Sequence, residues 1–288
     1  MKTLLASFLL FLSLSVQAAG ERLFFFKVEK SGAVVWLLGS MHLARPDLYP
    51  LRGEIQQAFE SSDSLVVEVD IGAGNEFVIQ QMMLEKGTYP EGETVDQHLS
   101  SGTWRDLQKA IRQFGLPVEI MARFRPGMLV TTLSTMHMMK LGLNQEYGVD
   151  RHFLNLARGN KNILELETIE QQMDMLMNSS DEELMVRQTL DQLDQMDLIM
   201  AELESSWKRG DVPALRKLLL DDELAKDPRY RRLHERLFDD RNRAMVSKVD
   251  DYMKRGGNYF VVVGAGHLVG EMGMVELLKR RGYHPKQL

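Results

Sequence analysis

Two short motifs at opposite ends of the chain constrain its fold more than anything else in it. Leu37-Leu38 runs into Gly39-Ser40-Met41-His42, and Val261-Val262-Val263 runs into Gly264-Ala265-Gly266-His267. In each, an apolar, β-prone stretch ends on Gly-x-x-His. Glycine permits a sharp turn at a strand end, and the histidine three residues on then projects from the carboxyl edge of a sheet. Ligand sites in open α/β sheets gather at that edge. The two histidines can meet only if the first and last strands lie close together. One such motif arises by chance in a chain of 288 residues; two, each capping a buried strand, point to a shared site.

The pattern between them fits this picture. Leu23 to Val28 and Ala33 to Leu38 read as strands joined by the hairpin signal Glu29-Lys30-Ser31-Gly32. Leu65 to Asp70 and Asn162 to Leu166 read as further short strands, and Tyr259 to Val263 as the last. Apolar spacing of three and four residues predicts helices over 52–61, 77–85, 104–114, 148–157, 181–207, 231–253 and 269–280. Another is predicted over 118–141, broken at Arg125-Pro126-Gly127. The expected fold class is α/β (α+β): a central mixed sheet formed by N- and C-terminal strands, with a large helical insertion, in a single domain over 19–288.

Residues 1–18 read as a signal peptide. Lys2 supplies the positive start, Leu4 to Val16 the apolar run, and Val16-Gln17-Ala18 the cleavage site. The 13-residue run is short of the roughly 20 residues that span a bilayer. The expectation is therefore a mature periplasmic protein with no permanent membrane anchor. The absence of cysteine excludes lipoprotein modification, thiolate metal sites and cysteine nucleophiles. A net charge of −6 argues against general nucleic-acid binding, which needs a basic surface. Of the 19 methionines, 11 fall between Met121 and Met200 at helical spacing, which reads as core filler, with a Met-rich interface as the alternative.

Among residues able to do chemistry, Glu68 joins the two histidines. It closes the run Leu65-Val66-Val67, where apolar neighbours would bury it, and a buried carboxylate needs a metal, a cation or a proton. A strand-end Glu beside two His suits a divalent-metal site with positions open for water. Asp70 is the alternative carboxylate. Glu165 and Glu167 alternate along a strand, so one of them should face inward. Taken alone, Arg241 reads as a surface charge on a solvated helix. His98, His137, His152, His234 and His284 lack partners at ligand spacing and read as structural or solvated. No His-Glu-x-x-His, Gly-x-Ser-x-Gly or phosphate-loop motif is present.

Taken together, Leu37–Leu43, Leu65–Asp70, Leu164–Thr168, Asp240-Arg241-Asn242 and Val262–Leu268 resemble the TraB/GumN family over essentially the whole mature chain. That family includes the Tiki proteases, which cleave peptides near the amino terminus of secreted signals, and is related to erythromycin-esterase and ChaN-type haem-binding proteins. The resemblance implies metal-dependent hydrolysis of a peptide or amide bond, with a divalent ion such as manganese or cobalt. By motif, His42 and His267 would be metal ligands or metal-proximal groups. Glu68 would be a ligand or general base, Arg241 an electrophilic group, and Gly39 and Gly264 cofactor-contacting turns. Ser40 stands where many members carry Thr. The competing expectations are a periplasmic haem- or metal-binding protein and an accessory factor in polysaccharide export.

Overall fold

The computed structural model describes residues 22–72, 74–178, 181–220 and 227–288; the expected signal peptide over residues 1–18 lies outside them. Strands β1 (Phe25–Lys30) and β2 (Ala33–Ser40) form the anticipated hairpin. Ser31 and Gly32 at its tip both take positive φ, 53° and 85°, the turn geometry that matches strand twist. Helix α1 (Gly53–Ser61) buries Ile55, Ala58 and Phe59 and leads into β3 (Ser64–Val67), buried at every residue. Then follow α2 (Glu76–Gly87), α3 (Ser101–Gln113), α4 (Val118–Met121), α5 (Pro126–Lys140) and α6 (Val149–Ala157) before β4 (Asn162–Glu165). Helices α7 (Ile169–Met177), α8 (Glu182–Leu193), α9 (Met196–Lys208), α10 (Val212–Leu219), α11 (Pro228–His234) and α12 (Asp240–Arg255) precede β5 (Asn258–Gly264). The chain ends with α13 (Met274–Arg280) and the short β6 (Lys286–Gln287).

The six strands lie in the order β4-β3-β5-β2-β1-β6. The first four are parallel; β1 runs antiparallel to both β2 and β6. The sheet is thus mixed and joins strands from both ends of the chain, with helices between, as the sequence predicts. The last long strand, β5, sits between β2 and β3. It can because Phe260 to Val263 is apolar at every position, which suits a strand covered on both faces. Phe25, Phe59 and Phe153 pack around Phe260, with ring centroids 4.7–5.8 Å apart. A second apolar cluster, with Leu107, Ile111, Leu129, Leu133 and Val186 at its centre, holds the inserted helices together.

Several boundaries differ from the sequence reading. The strand expected over 65–70 ends at Val67, so Glu68 leads the following turn. The stripe over 181–207 is two helices, α8 and α9, and the break keeps Leu193 and Met196 both buried. The helix expected from Val269 begins only at Met274, because Gly270 takes a φ of +84° and breaks the turn before it. Helix α7 escaped the periodicity reading although its capping box, Thr168 with Gln171, stands in the sequence. Between α11 and α12 the chain stays helical through a π-turn, Glu235–Asp239, a feature frequent next to functional sites. No helix of the described residues is long and apolar enough to cross a membrane.

Candidate active site

The parallel pairing of β2 with β5 sets Ser40 opposite Gly264 and Gly39 opposite Val263. The two Gly-x-x-His motifs therefore meet at one sheet edge, out of step by one residue. That offset gives the two glycines different surroundings. A side chain on Gly39 would run into the Phe24 ring, and its carbonyl accepts a 2.6 Å bond from Trp207 Nε1. Gly39 thus serves close packing. Gly264 instead faces the site: a Cβ there would lie 3.3 Å from Glu68 Oε1, 3.4 Å from His42 Nε2 and 3.6 Å from His267 Cδ2. The two imidazoles and the carboxylate surround one point, kept empty by the missing side chain.

His267 follows β5 on a single tight turn and is 4% exposed. Its Nδ1 stands 2.6 Å from Asn242 Oδ1, while Asn242 Nδ2 donates to the Met272 carbonyl at 2.9 Å. A carbonyl can only accept, so the amide orientation is fixed and His267 donates from Nδ1. Its Nε2 is left as a bare lone pair 3.7 Å from Glu68 Oε1. Burial pushes the imidazole down to about 4, against the opposing pull of Glu68. At neutral pH it carries no charge.

His42 sits in the loop after β2, which α6 holds in place through Val149 N–H donating to the Met41 carbonyl at 3.0 Å. Its Nδ1 lies 3.0 Å from Asp150 Oδ1, and Ser40 Oγ donates to the same oxygen at 2.6 Å. Asp150 raises the imidazole to about 9, although the side chain is 58% exposed and water screens part of that attraction. In Asp150 burial raises the carboxyl, but His42 and the Ser40 hydroxyl together hold it below its ordinary range.

Glu68 stands between the corners. Oε1 accepts from Gly264 N–H at 2.6 Å, and Oε2 from Arg241 Nη2 at 2.7 Å and Gln172 Nε2 at 3.0 Å. Burial pushes its carboxyl up, but His267, His42, Arg241 and the Gly264 N–H together hold it below its usual value. It is ionised, and too well stabilised to be a strong base. Arg241 also donates to Glu167, from Nε at 2.8 Å and Nη2 at 2.6 Å, and from Nη1 to the Leu237 carbonyl at 3.0 Å. Its guanidinium is thereby committed to fixing two carboxylates rather than free to meet a substrate.

His42, Glu68, Asp150, Gln172 and Arg241 line a cavity of about 560 Å³ at the carboxyl ends of the parallel strands, with His267 buried outside its lining. Glu167 is the inward-facing member of its pair; Glu165 is exposed and accepts from Asp70 N–H. Asp70 turns away to Arg158 and Gly72 N–H. Sequence reasoning missed Asp150, Asn242 and Gln172. The first two each sit on the apolar face of a helix, Asp150 with Phe153, Leu154 and Ala157, Asn242 with Met245, Val246 and Val249. A polar residue in such a stripe was the available signal.

The donor set suits a divalent ion. Each imidazole has Nδ1 tied by a partner, the arrangement that orients metal-ligating histidines. Glu68 supplies an anionic oxygen, and the Gly264 gap leaves space among the three. Among the described residues, however, no group of three or more His, Asp or Glu is already gathered closely enough to hold an ion. Binding one requires the donors to draw inward, and His42 is the exposed one.

The sequence pattern of the TraB/PrgY/gumN family matches residues 24–287. The chain belongs to this family. Its similarity extends to the uncharacterized protein YbaP of Escherichia coli (strain K12), 25% identical over 245 residues, which cover 84% of this chain and 87% of that protein. The Shigella flexneri protein of the same name gives the same figures. No solved structure matches. The matched stretch spans both Gly-x-x-His corners and every residue of the site just described.

Proposed function

We propose that this chain is a periplasmic metal-dependent hydrolase acting on a peptide or amide bond. The observation that carries the reading is the gap in front of Gly264, bordered by two imidazoles and a carboxylate. His267 offers a neutral lone pair, Glu68 a fixed negative charge, and His42 a third, movable nitrogen. A divalent ion bound there supplies Lewis acidity to a carbonyl oxygen and makes water acidic near neutral pH. Asn242 and Asp150 keep each ring in the orientation that presents Nε2, and Arg241 with Gln172 keeps Glu68 from turning away.

A second reading keeps the hydrolysis and drops the metal. Asp150 raises His42 to about 9, so this imidazole holds a proton at neutral pH and could deliver it to a leaving amine. The two readings separate on Gly264→Ala. The backbone at Gly264, with φ of −50°, permits alanine, and the new methyl meets Glu68, His42 and His267 at 3.3–3.6 Å, so these neighbours must yield by a few tenths of an ångström. Under the metal reading, metal content and peptide cleavage should both fall at least tenfold while the unfolding midpoint changes little. Undiminished cleavage, unaffected by chelators, would leave only the second reading. A haem-binding protein would instead show a Soret band on reconstitution and no turnover.

A further inference from the structure

Helix α2 hides almost nothing. Of its 12 residues only Gly87, the last, is fully buried. Phe77 and Leu84 face solvent, 74% and 55% exposed. On its inner side Ile79 and Met83, four residues apart and so stacked on one face, line the 560 Å³ cavity. Helix α7 packs beside α2 and adds Met175 and Leu176 to the same wall. One turn earlier on α7, Gln172 donates to Glu68 and Glu167. A single helix thus carries the polar floor of the site directly into an apolar wall. Ile79 and Met83 are thus turned to the cavity and not to the core.

We propose that Ile79, Met83, Met175 and Leu176 form the subsite for a large apolar side chain of the substrate residue beside the scissile bond. The proposal rests on the hydrolase reading for the bond that is cut, and on this wall for the side chain that is held. A charged side chain placed there would lose its hydration with no partner to replace it. Two methionines make the wall adaptable, so leucine, methionine and phenylalanine should all be accepted. At the mouth, Arg151 Nη1 donates to Glu76 Oε1 at 3.2 Å, so the two rim charges meet each other and do not select for charge in the entering residue.

The test uses the full chain and blocked hexapeptides differing only at one central residue: Leu, Met, Phe, Glu or Lys. Cleavage is read by mass spectrometry and binding by calorimetry. Cleavage beside Leu, Met or Phe should exceed that beside Glu or Lys at least tenfold. Ile79→Asp and Met83→Asp, and the milder Met83→Gln, should erase that preference without lowering the unfolding midpoint. Cleavage without apolar preference, or a preference that survives the substitutions, overturns the subsite and leaves the hydrolase standing. Tighter binding of the apolar peptides that the substitutions abolish, with no cleavage, supports the subsite and overturns the hydrolase. Neither cleavage nor binding overturns both.

Discussion

His42 and His267 arise from the same four-residue pattern on neighbouring parallel strands, yet they stand in opposite environments. One ring is 58% exposed beside a carboxylate and is raised to about 9; the other is 4% exposed beside an amide and pushed down to about 4. The motif sets the backbone turn, and partners brought from elsewhere set the proton. Asp150 comes from α6, far away in sequence, and Asn242 from α12, the helix just before β5, so the difference is decided by residues outside the motif. The one-residue offset between β2 and β5 completes the asymmetry by giving the open glycine to only one corner. The corners are complementary: a charge carrier on the solvent side and a lone pair on the buried side.

The harshest way to break this arrangement is to remove the group both corners share. Both oxygens of Glu68 accept hydrogen bonds, from Gly264 N–H on one side and from Arg241 and Gln172 on the other. In Glu68→Gln one donor must therefore confront another. Peptide cleavage should fall at least about tenfold, because the site loses the fixed negative charge that would help hold the ion. Denaturant unfolding should also show a loss of about 3 kcal/mol, as for other broken buried charge pairs. A variant as stable as the parent would mean that the carboxylate is not clamped as described.

Asn242→Leu attacks the buried corner alone. It leaves His267 Nδ1 and the Met272 carbonyl without partners and frees the ring to turn. Metal affinity should fall about 10–100-fold, the typical effect of losing such an orienting group, and stability by about 1–3 kcal/mol for the unpaired polar atoms. Titration calorimetry with manganese and chemical denaturation read the two effects separately. Unchanged affinity would remove His267 from the ligand set.

How much of this was legible in the sequence depends on where the information lies. Strands ending on Gly39 and Gly264 were readable because an apolar run followed by glycine is a local signal. Glu68 was readable because a charge after Leu65-Val66-Val67 has nowhere to go but inward or onto a partner. Arg241 was visible only through family resemblance, since its helix carries many charges and only the fold shows which one faces Glu68 and Glu167. The placing of β5 between β2 and β3 was not readable in detail, because strand order is set by long-range packing that leaves no local pattern. Asp150 and Asn242 were readable in principle, as polar residues inside apolar helical stripes. Gln172 was not: nothing separates it from an ordinary surface glutamine until the fold places it on Glu68.

The smallest expected effect isolates the exposed corner, through its titration. For His42, raised above its ordinary 6.5, the attraction to Asp150 contributes fully below about pH 6.5 and is lost as pH rises through about 9. For His267, lowered to about 4, the sign reverses: the folded state resists its protonation, so stability falls as pH drops from about 6.5 toward 4. Glu68, held below its usual range, adds to the loss on the acid side. The metal-free protein should therefore show two histidine ring signals titrating at opposite extremes by NMR. Asp150→Asn should move only one of them. Asparagine still accepts from Ser40 and His42, so the loop keeps its shape, and the exposure of His42 limits the stability change to about 1 kcal/mol or less. The His42 signal should fall back toward 6.5 while His267 stays near 4, and any peptide cleavage should lose its alkaline limb by the same interval. Movement of both signals together would mean that the two corners titrate as one unit, and the division of labour between them would have to be abandoned.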